Sequence, residues 1–130
     1  MKMIIGGAYQ GKTAYAEQKY RIASADWIDG ATCSMEEIYS CTAIRNFHSY
    51  IRRFIPDRLS PEDLCAGLIE RNPELILVSD EVGCGLVPMD PGDRRYREYV
   101  GQICTKLAAF SEEVVRVNCG IGTVLKPVSA

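Results

Sequence analysis

Met3-Ile4-Ile5-Gly6-Gly7-Ala8-Tyr9-Gln10-Gly11-Lys12-Thr13 is the stretch that decides the fold. Residues 6 to 13 fit G-x-x-x-x-G-K-[ST] at every fixed position, and the apolar run before them reads as a strand. A pattern of this length between strand and helix is a phosphate-binding P-loop. Glycine tolerates positive φ and close backbone approach, so successive N–H groups can turn inward around a phosphate. Gly6, Gly7, Ala8, Tyr9, Gln10, Gly11, Lys12 and Thr13 are therefore the expected nucleotide-binding residues. Lys12 supplies a cation for the β- and γ-phosphates, and the Thr13 hydroxyl is placed to ligate Mg²⁺. From Lys12 to near Ile22 the spacing of Ala14, Tyr15, Ala16 and Ile22 predicts a helix, whose N-terminus would direct partial positive charge at the nucleotide.

The whole chain bounds what this loop can serve. Its 130 residues, 47% hydrophobic and 25% charged, suit one domain, 1–130, with one core. A net charge of -2 provides no global basic field, which argues against nucleic acid or an anionic membrane as the main partner. The opening Met-Lys-Met-Ile-Ile-Gly is too short for a signal peptide, and no run of about 18 apolar residues offers a membrane span, so a cytoplasmic protein is expected. The six cysteines (33, 41, 65, 84, 104 and 119) are scattered without a C-x-x-C, four of them in apolar or helical patterns. Reduced, buried thiols are expected rather than disulfides or a zinc site.

Outward from the loop, 24–30 reads as a short strand that leaves Asp29 at its carboxyl end, on the rim where parallel sheets collect ligands. Asp29 is thereby a candidate Mg²⁺ partner. Ser34-Met35-Glu36-Glu37 has the form of a capping box, and Ile38, Cys41, Ile44, Phe47, Ile51 and Phe54 follow at three- and four-residue steps, which predicts one helix of about twenty residues. His48, the single histidine, falls on that helix and reads as a partly solvated side chain. Ser60-Pro61 starts a further helix that ends at Asn72-Pro73. The continuous apolar run 75–79 predicts a strand covered on both faces, delivering Asp80-Glu81 in the manner of a Walker B element. Asp29 and this pair compete for the metal role. A Gly- and Pro-rich loop, 83–92, suits a pocket wall or lid. A helix from about Asp93 to Phe110 then carries Arg94, Arg95 and Arg97 in its first turns, and 114–119 reads as the last core strand. The order of elements gives an α/β, P-loop NTPase-like three-layer fold with a mainly parallel sheet.

These residues together make the chain resemble the bifunctional cobinamide kinase and cobinamide-phosphate guanylyltransferase family of cobalamin biosynthesis. Gly6-Gly7-Ala8 with Gly11-Lys12-Thr13 is similar to that family's G-G-A-x-S-G-K-S, and Asp29-Gly30-Ala31-Thr32 to its D-C-L-T. The stretch 77–88, Leu-Val-Ser-Asp-Glu-Val-Gly-Cys-Gly-Leu-Val-Pro, resembles L-V-S/T-N-E-V-G-x-G-I-V-P. Arg94, Tyr96, Arg97, Glu98 and Gly101 take the spacing of R-x-F-R-D-x-x-G, followed by Lys106-Leu107-Ala108, and Gly120-Ile121 and Leu125-Lys126 match the family's end. The resemblance implies transfer of the γ-phosphoryl of ATP or GTP to the terminal hydroxyl of adenosylcobinamide. It also implies a GMP–histidine intermediate in the family's second reaction, and a homo-oligomer.

Several positions depart from the pattern. The family's second strand and histidine-bearing helix have no counterpart, since Ile22 is followed almost at once by Trp27-Ile28-Asp29. This reads as a shortened member without the guanylylated histidine, a role that does not pass to His48. Asp80 and Cys104 stand where the family has Asn, and Gln10 stands where it has Ser. The expected activity is a kinase: Lys12 would neutralise charge on the γ-phosphate, Thr13 and Asp29 would hold Mg²⁺, and Glu81 would orient or deprotonate the acceptor hydroxyl. Asp80, Arg94 and Arg97 are expected contacts to phosphate or acceptor. A non-catalytic nucleotide-binding module, or a small NTPase or kinase with another acceptor, fits the same residues, because fold and loop do not fix the substrate.

Overall fold

The computed structural model describes residues 1–81 and 91–128. Its centre is β1 (Lys2–Gly6), where Met3 and Ile4 point to opposite faces and are both almost wholly buried. A strand covered on both faces pairs on both edges, and β1 lies parallel to β4 (Ile76–Asp80) on one side and to β5 (Glu113–Asn118) on the other. Beyond β4 lie β3 (Ala43–Arg45) and then β2 (Trp27–Asp29), also parallel. Beyond β5 lies β6 (Ile121–Lys126), antiparallel, which completes the order β2-β3-β4-β1-β5-β6.

The alternation of side chains sorts the core into two layers. Ile4, Ala43, Val78, Val115 and Val117 meet Ala16 of α1 (Lys12–Tyr20) on one face. Met3, Ile44, Leu77 and Val114 meet α2 (Phe47–Phe54), α3 (Pro61–Arg71) and α4 (Pro91–Phe110) on the other. The result is the expected α/β fold of three layers about a mainly parallel sheet. α3 starts where its sequence dictates: the Ser60 hydroxyl accepts from the Asp63 amide at 3.0 Å, with Pro61 in the first turn. None of the helices described is long and apolar enough to cross a membrane.

The structure overturns one long helix. Residues 34–54 form a turn, a short 3₁₀ segment at Glu37–Tyr39, strand β3 and then α2. Of the positions read as a single stripe, Ile38, Ile44, Phe47, Ile51 and Phe54 are buried and Cys41 is half-buried, but three separate elements carry the buried five. The Asn72 side chain donates to the carbonyls of Ile38 and Cys41 at 2.9 and 3.0 Å, satisfying groups that a continuous helix would have bonded internally. Asn46 takes a left-handed φ of 55°, which turns the chain from strand to helix. The same burial means this stripe is not a face left for another subunit. The strand expected at 24–30 shortens to β2 behind a 3₁₀ turn at Ser24–Asp26. After β5, a Cys119-Gly120 turn with φ of 51° and 76° makes a two-residue hairpin to β6, a strand the residue pattern did not announce.

Cys33 and Cys65 are buried, Cys41 and Cys104 half-buried, and Cys119 exposed, all as free thiols. Burial pushes the Cys41 thiol up to about 11 and the Cys104 thiol to about 12, so neither ionises near neutrality. Residues 82–90, with Cys84 and most of the proposed pocket-wall loop, lie outside the described residues.

Buried Gly30 fixes how β2 leaves the sheet. A Cβ there would lie 2.2 Å from the Asn46 carbonyl oxygen, a backbone atom that the Gly30 and Arg45 pairing holds in place. Gly30→Ala is expected to lower unfolding stability by about 1–3 kcal/mol, read as an earlier urea midpoint at unchanged slope.

Candidate nucleotide site

At Gly6 the buried strand becomes a loop, and at Lys12 the loop becomes a helix. Gly11 closes that turn with φ 83° at the N-cap of α1, a conformation that L side chains rarely adopt, and its carbonyl accepts from the Tyr15 amide at 3.0 Å. Tyr9 is left-handed as well, with φ 59°. The loop is anchored from across the sheet by the β5–β6 turn. The Gly120 amide donates to the Gln10 carbonyl at 2.8 Å, and the Cys119 amide to Gln10 Oε1 at 2.7 Å.

Lys12 lies inside the loop with only 7% of its surface exposed. Its Nζ donates to the Gly7 carbonyl at 2.7 Å and pairs with Asp80 Oδ1 at 2.7 Å. Gly6 and Asp80 are cross-strand partners in the β1–β4 register, so strand pairing delivers that carboxylate to the loop. His48, from the first turn of α2, closes the same corner. Its Nδ1 accepts from the Asp80 amide at 3.1 Å, and its Nε2 stands 3.5 Å from Asp80 Oδ2. Burial lowers the His48 pKa, with Lys12 and Arg52 acting in the same direction against Asp80 and Asp29. The imidazole is therefore neutral near pH 7, with Nε2 carrying the proton because Nδ1 accepts.

These groups surround a cleft of about 400 Å³, whose walls include Gly11, Lys12, Thr13, Asn46, His48 and Asp80. The Thr13 hydroxyl and the Asp80 carboxylate bring hard oxygen donors to one space, a chemistry that fits Mg²⁺. Among the described residues no cluster of three or more acids, histidines and cysteines is placed to hold a metal ion.

The other expected site residues stand nearby but off this lining. Asp29 sits at the end of β2, where Oδ1 accepts from the Ala31 amide at 2.8 Å and from Asn46 Nδ2 at 3.0 Å, while Oδ2 lies 3.6 Å from Arg45. Partial burial works against its charge, but the Asn46 and Ala31 hydrogen bonds and Arg45 outweigh it and hold its pKa below the usual value. Glu81 follows Asp80 out of the strand, and its Oε1 receives Arg116 Nε at 2.8 Å and an Arg116 terminal nitrogen at 2.5 Å. Arg94 is exposed and Arg97 half-buried on the first turns of α4, and neither is among the described residues lining the cleft. Sequence reasoning did not assign Asn46 or His48 to the site. Both lie in the stretch read as one helix, and the signal that locates them is the short strand β3, whose carboxyl end they follow.

Comparison with known proteins adds a family. Residues 58–125, more than half of the chain, match the model of the cobinamide kinase / cobinamide phosphate guanyltransferase family. The bifunctional adenosylcobalamin biosynthesis proteins CobU of Salmonella typhimurium and of Escherichia coli are each 40% identical over 53 residues, which cover 41% of this chain and 29% of the relative. The matched stretch of those relatives is thus under a third of their length. The family match takes in α3, β4, α4 and β5, and the phosphate loop at 6–13 precedes it, so the reading of that loop rests on its own geometry.

The neutral His48 has a stability consequence. Its folded pKa lies below the ordinary 6.5, so in the window between the two values the unfolded chain binds the proton more readily. The contribution is present above 6.5 and is lost as pH falls toward the folded value. Thermal unfolding followed from about pH 7 to about pH 5 should show a larger loss of Tm for the native chain than for His48→Gln; parallel curves would remove His48 from this role.

Proposed function

Because the chain belongs to the family of cobinamide kinases and cobinamide phosphate guanyltransferases, we propose that it is a cytoplasmic kinase that transfers the γ-phosphoryl of ATP or GTP to the hydroxyl of a cobinamide-like acceptor in cobalamin biosynthesis. The observation that carries this reading is Lys12, held inside the loop by one backbone carbonyl and one carboxylate. An ammonium in that position is ready to exchange those partners for phosphate oxygens. Backbone amides from Gly7 to Lys12 cradle the β-phosphate, and Lys12 neutralises the charge that develops on the γ-phosphate.

Thr13 is the hydroxyl ligand for Mg²⁺, with Asp80 in the cleft and Asp29 behind Asn46 as the carboxylates available to it directly or through water. When bound, the ion supplies charge neutralisation between the phosphates. Glu81, fixed by Arg116, orients or deprotonates the acceptor hydroxyl, and Arg94 or Arg97 contacts the acceptor or its phosphate. Phosphoryl transfer asks mainly for positioning and charge stabilisation, and this set provides both.

Only the kinase half is proposed. A histidine that becomes guanylylated needs a ring nitrogen with an available lone pair. The single histidine has Nδ1 engaged by the Asp80 amide and Nε2 turned to the Asp80 carboxylate. One observation favours the second reading, a nucleotide-binding module without turnover: the Glu81 carboxylate, the group assigned to the acceptor hydroxyl, is tied up in an ion pair with Arg116. A homo-oligomer is also part of the proposal. Edge strand β6 and the residue pair that follows it leave Ile121, Val124, Leu125 and Val128 exposed, and an apolar sheet edge is a surface that soluble proteins usually cover.

A coupled assay for ADP and GDP release, with Mg²⁺ and with or without cobinamide, tests the proposal. Release should depend on cobinamide and should fall by at least about a hundredfold in Lys12→Ala, with no GMP transfer to the phosphorylated product. Nucleotide binding without release across a panel of hydroxyl acceptors would favour the module instead. Light scattering at micromolar concentration should give a mass above that of the monomer; a monomer throughout would refute the assembly.

A further inference from the structure

A second cleft, of about 430 Å³, opens between the end of α2 and the first turns of α4. Its volume is that of a small-molecule site. Arg52, Ile55 and Pro56 come to it from the last turn of α2 and the residues that follow, while Gly92, Tyr96 and Tyr99 recur at four- and three-residue steps along one face of α4. Arg95 lines it as well. Neither Arg52 nor Arg95 is needed for the phosphate chemistry proposed above.

The two clefts adjoin along α2. His48 lines the phosphate cleft and Arg52 the second one, and residues four apart on a helix share a face, with a rise of about 6 Å between them. Tyr96 forms the partition. Its hydroxyl donates to the His48 carbonyl at 3.1 Å, its ring centre lies 3.9 Å from the Arg52 guanidinium, and it also lines the second cleft. A molecule seated there has the corner where His48 meets Asp80 about one helical turn away.

The lining selects the kind of molecule. Arg52 and Arg95 are matched by Asp57 and Asp93, with an Arg52 terminal nitrogen 3.5 Å from Asp93 Oδ1, so the cleft carries no surplus charge to draw in a phosphate. The tyrosine rings, Ile55 and Pro56 add aromatic and apolar surface. Hydrogen-bond donors and acceptors in equal supply beside apolar walls suit an uncharged, amide-bearing body with an apolar face. We infer that this cleft docks the body of the acceptor, whose hydroxyl reaches the phosphate cleft on a flexible arm past Tyr96. Docking in this sense rests on the kinase reading for the identity of the acceptor, a cobinamide-like molecule.

Calorimetric titration with cobinamide in the presence of Mg·ADP, joined to hydrogen exchange, tests this on the native chain, Arg95→Ala, Tyr99→Ala and Tyr99→Phe. Cobinamide should slow exchange at 52–57 and 92–99, apart from the loop at 6–13 that Mg·ADP protects. Arg95→Ala and Tyr99→Ala should each weaken cobinamide about tenfold and leave Mg·ADP affinity unchanged, with Tyr99→Phe restoring the native value. Arg95 is exposed, so its removal spares the core and carries the test should Tyr99→Ala fail to fold. Cobinamide that does not bind, protects other segments instead, or binds Arg95→Ala as tightly as the native chain would overturn the docking cleft. Phosphoryl transfer to cobinamide with the native KM in Arg95→Ala would overturn it too, while upholding the kinase. Cobinamide bound in the cleft with no ADP or GDP released from ATP or GTP would uphold the cleft and refute the kinase.

Discussion

A buried ammonium cannot be left without acceptors, and in this molecule that constraint joins the sheet to the site. Lys12 begins a helix, yet its Nζ ends against the Gly7 carbonyl and the Asp80 carboxylate, with most of its surface removed from water. Desolvating a charge is tolerable only when its partners are fixed beforehand. One partner is fixed by the curvature of the loop. The other is fixed by the pairing of Gly6 with Asp80 across parallel strands. A slip of one residue in that register would send the carboxylate to the opposite face of the sheet.

The parts of the fold legible in the sequence are those whose local chemistry and long-range packing agree. The β1–loop–α1 unit, the Ser60-capped helix, the apolar strand ending in Asp80 and the helix before β5 each carry their own signals, and each forms close to the expected bounds. Residues 34–54 were not legible for a specific reason. A strand of three residues whose Ala43 and Ile44 are buried on opposite faces shows no apolar–polar alternation from which a period of two could be read. Cys41, Ile44 and Phe47 also happen to continue the helical spacing of their neighbours. What divides them is a left-handed asparagine and a hydrogen-bond demand from Asn72, which arrives from 31 and 34 residues away. β6 escaped notice because most of its side chains face solvent, so it exists by pairing with β5 and not by burial.

The same distinction governs the site. The loop residues are contiguous and could be read directly. Asp80 could be expected because a parallel strand delivers its last residue to the ligand rim. Asn46 and His48 reach the cleft only because β3 inserts between β2 and β4 and presents its own carboxyl end there. Asp29, expected at the metal, is engaged with Ala31, Asn46 and Arg45, so its visible work is to hold Asn46 at the wall of the cleft. Glu81 and Arg116 form a comparable brace between the end of β4 and β5, the two strands that flank β1.

The clamp between Gln10 and the Cys119-Gly120 turn spans 109 residues of chain. During synthesis the whole phosphate motif is made well before the strand that carries it finds partners, first at 76–80 and then at 113–118. The clamp follows only when the hairpin turn emerges. The loop is therefore clamped only after residue 120 has been made, and a fragment that stops short of that turn contains every motif residue but lacks the scaffold that shapes them.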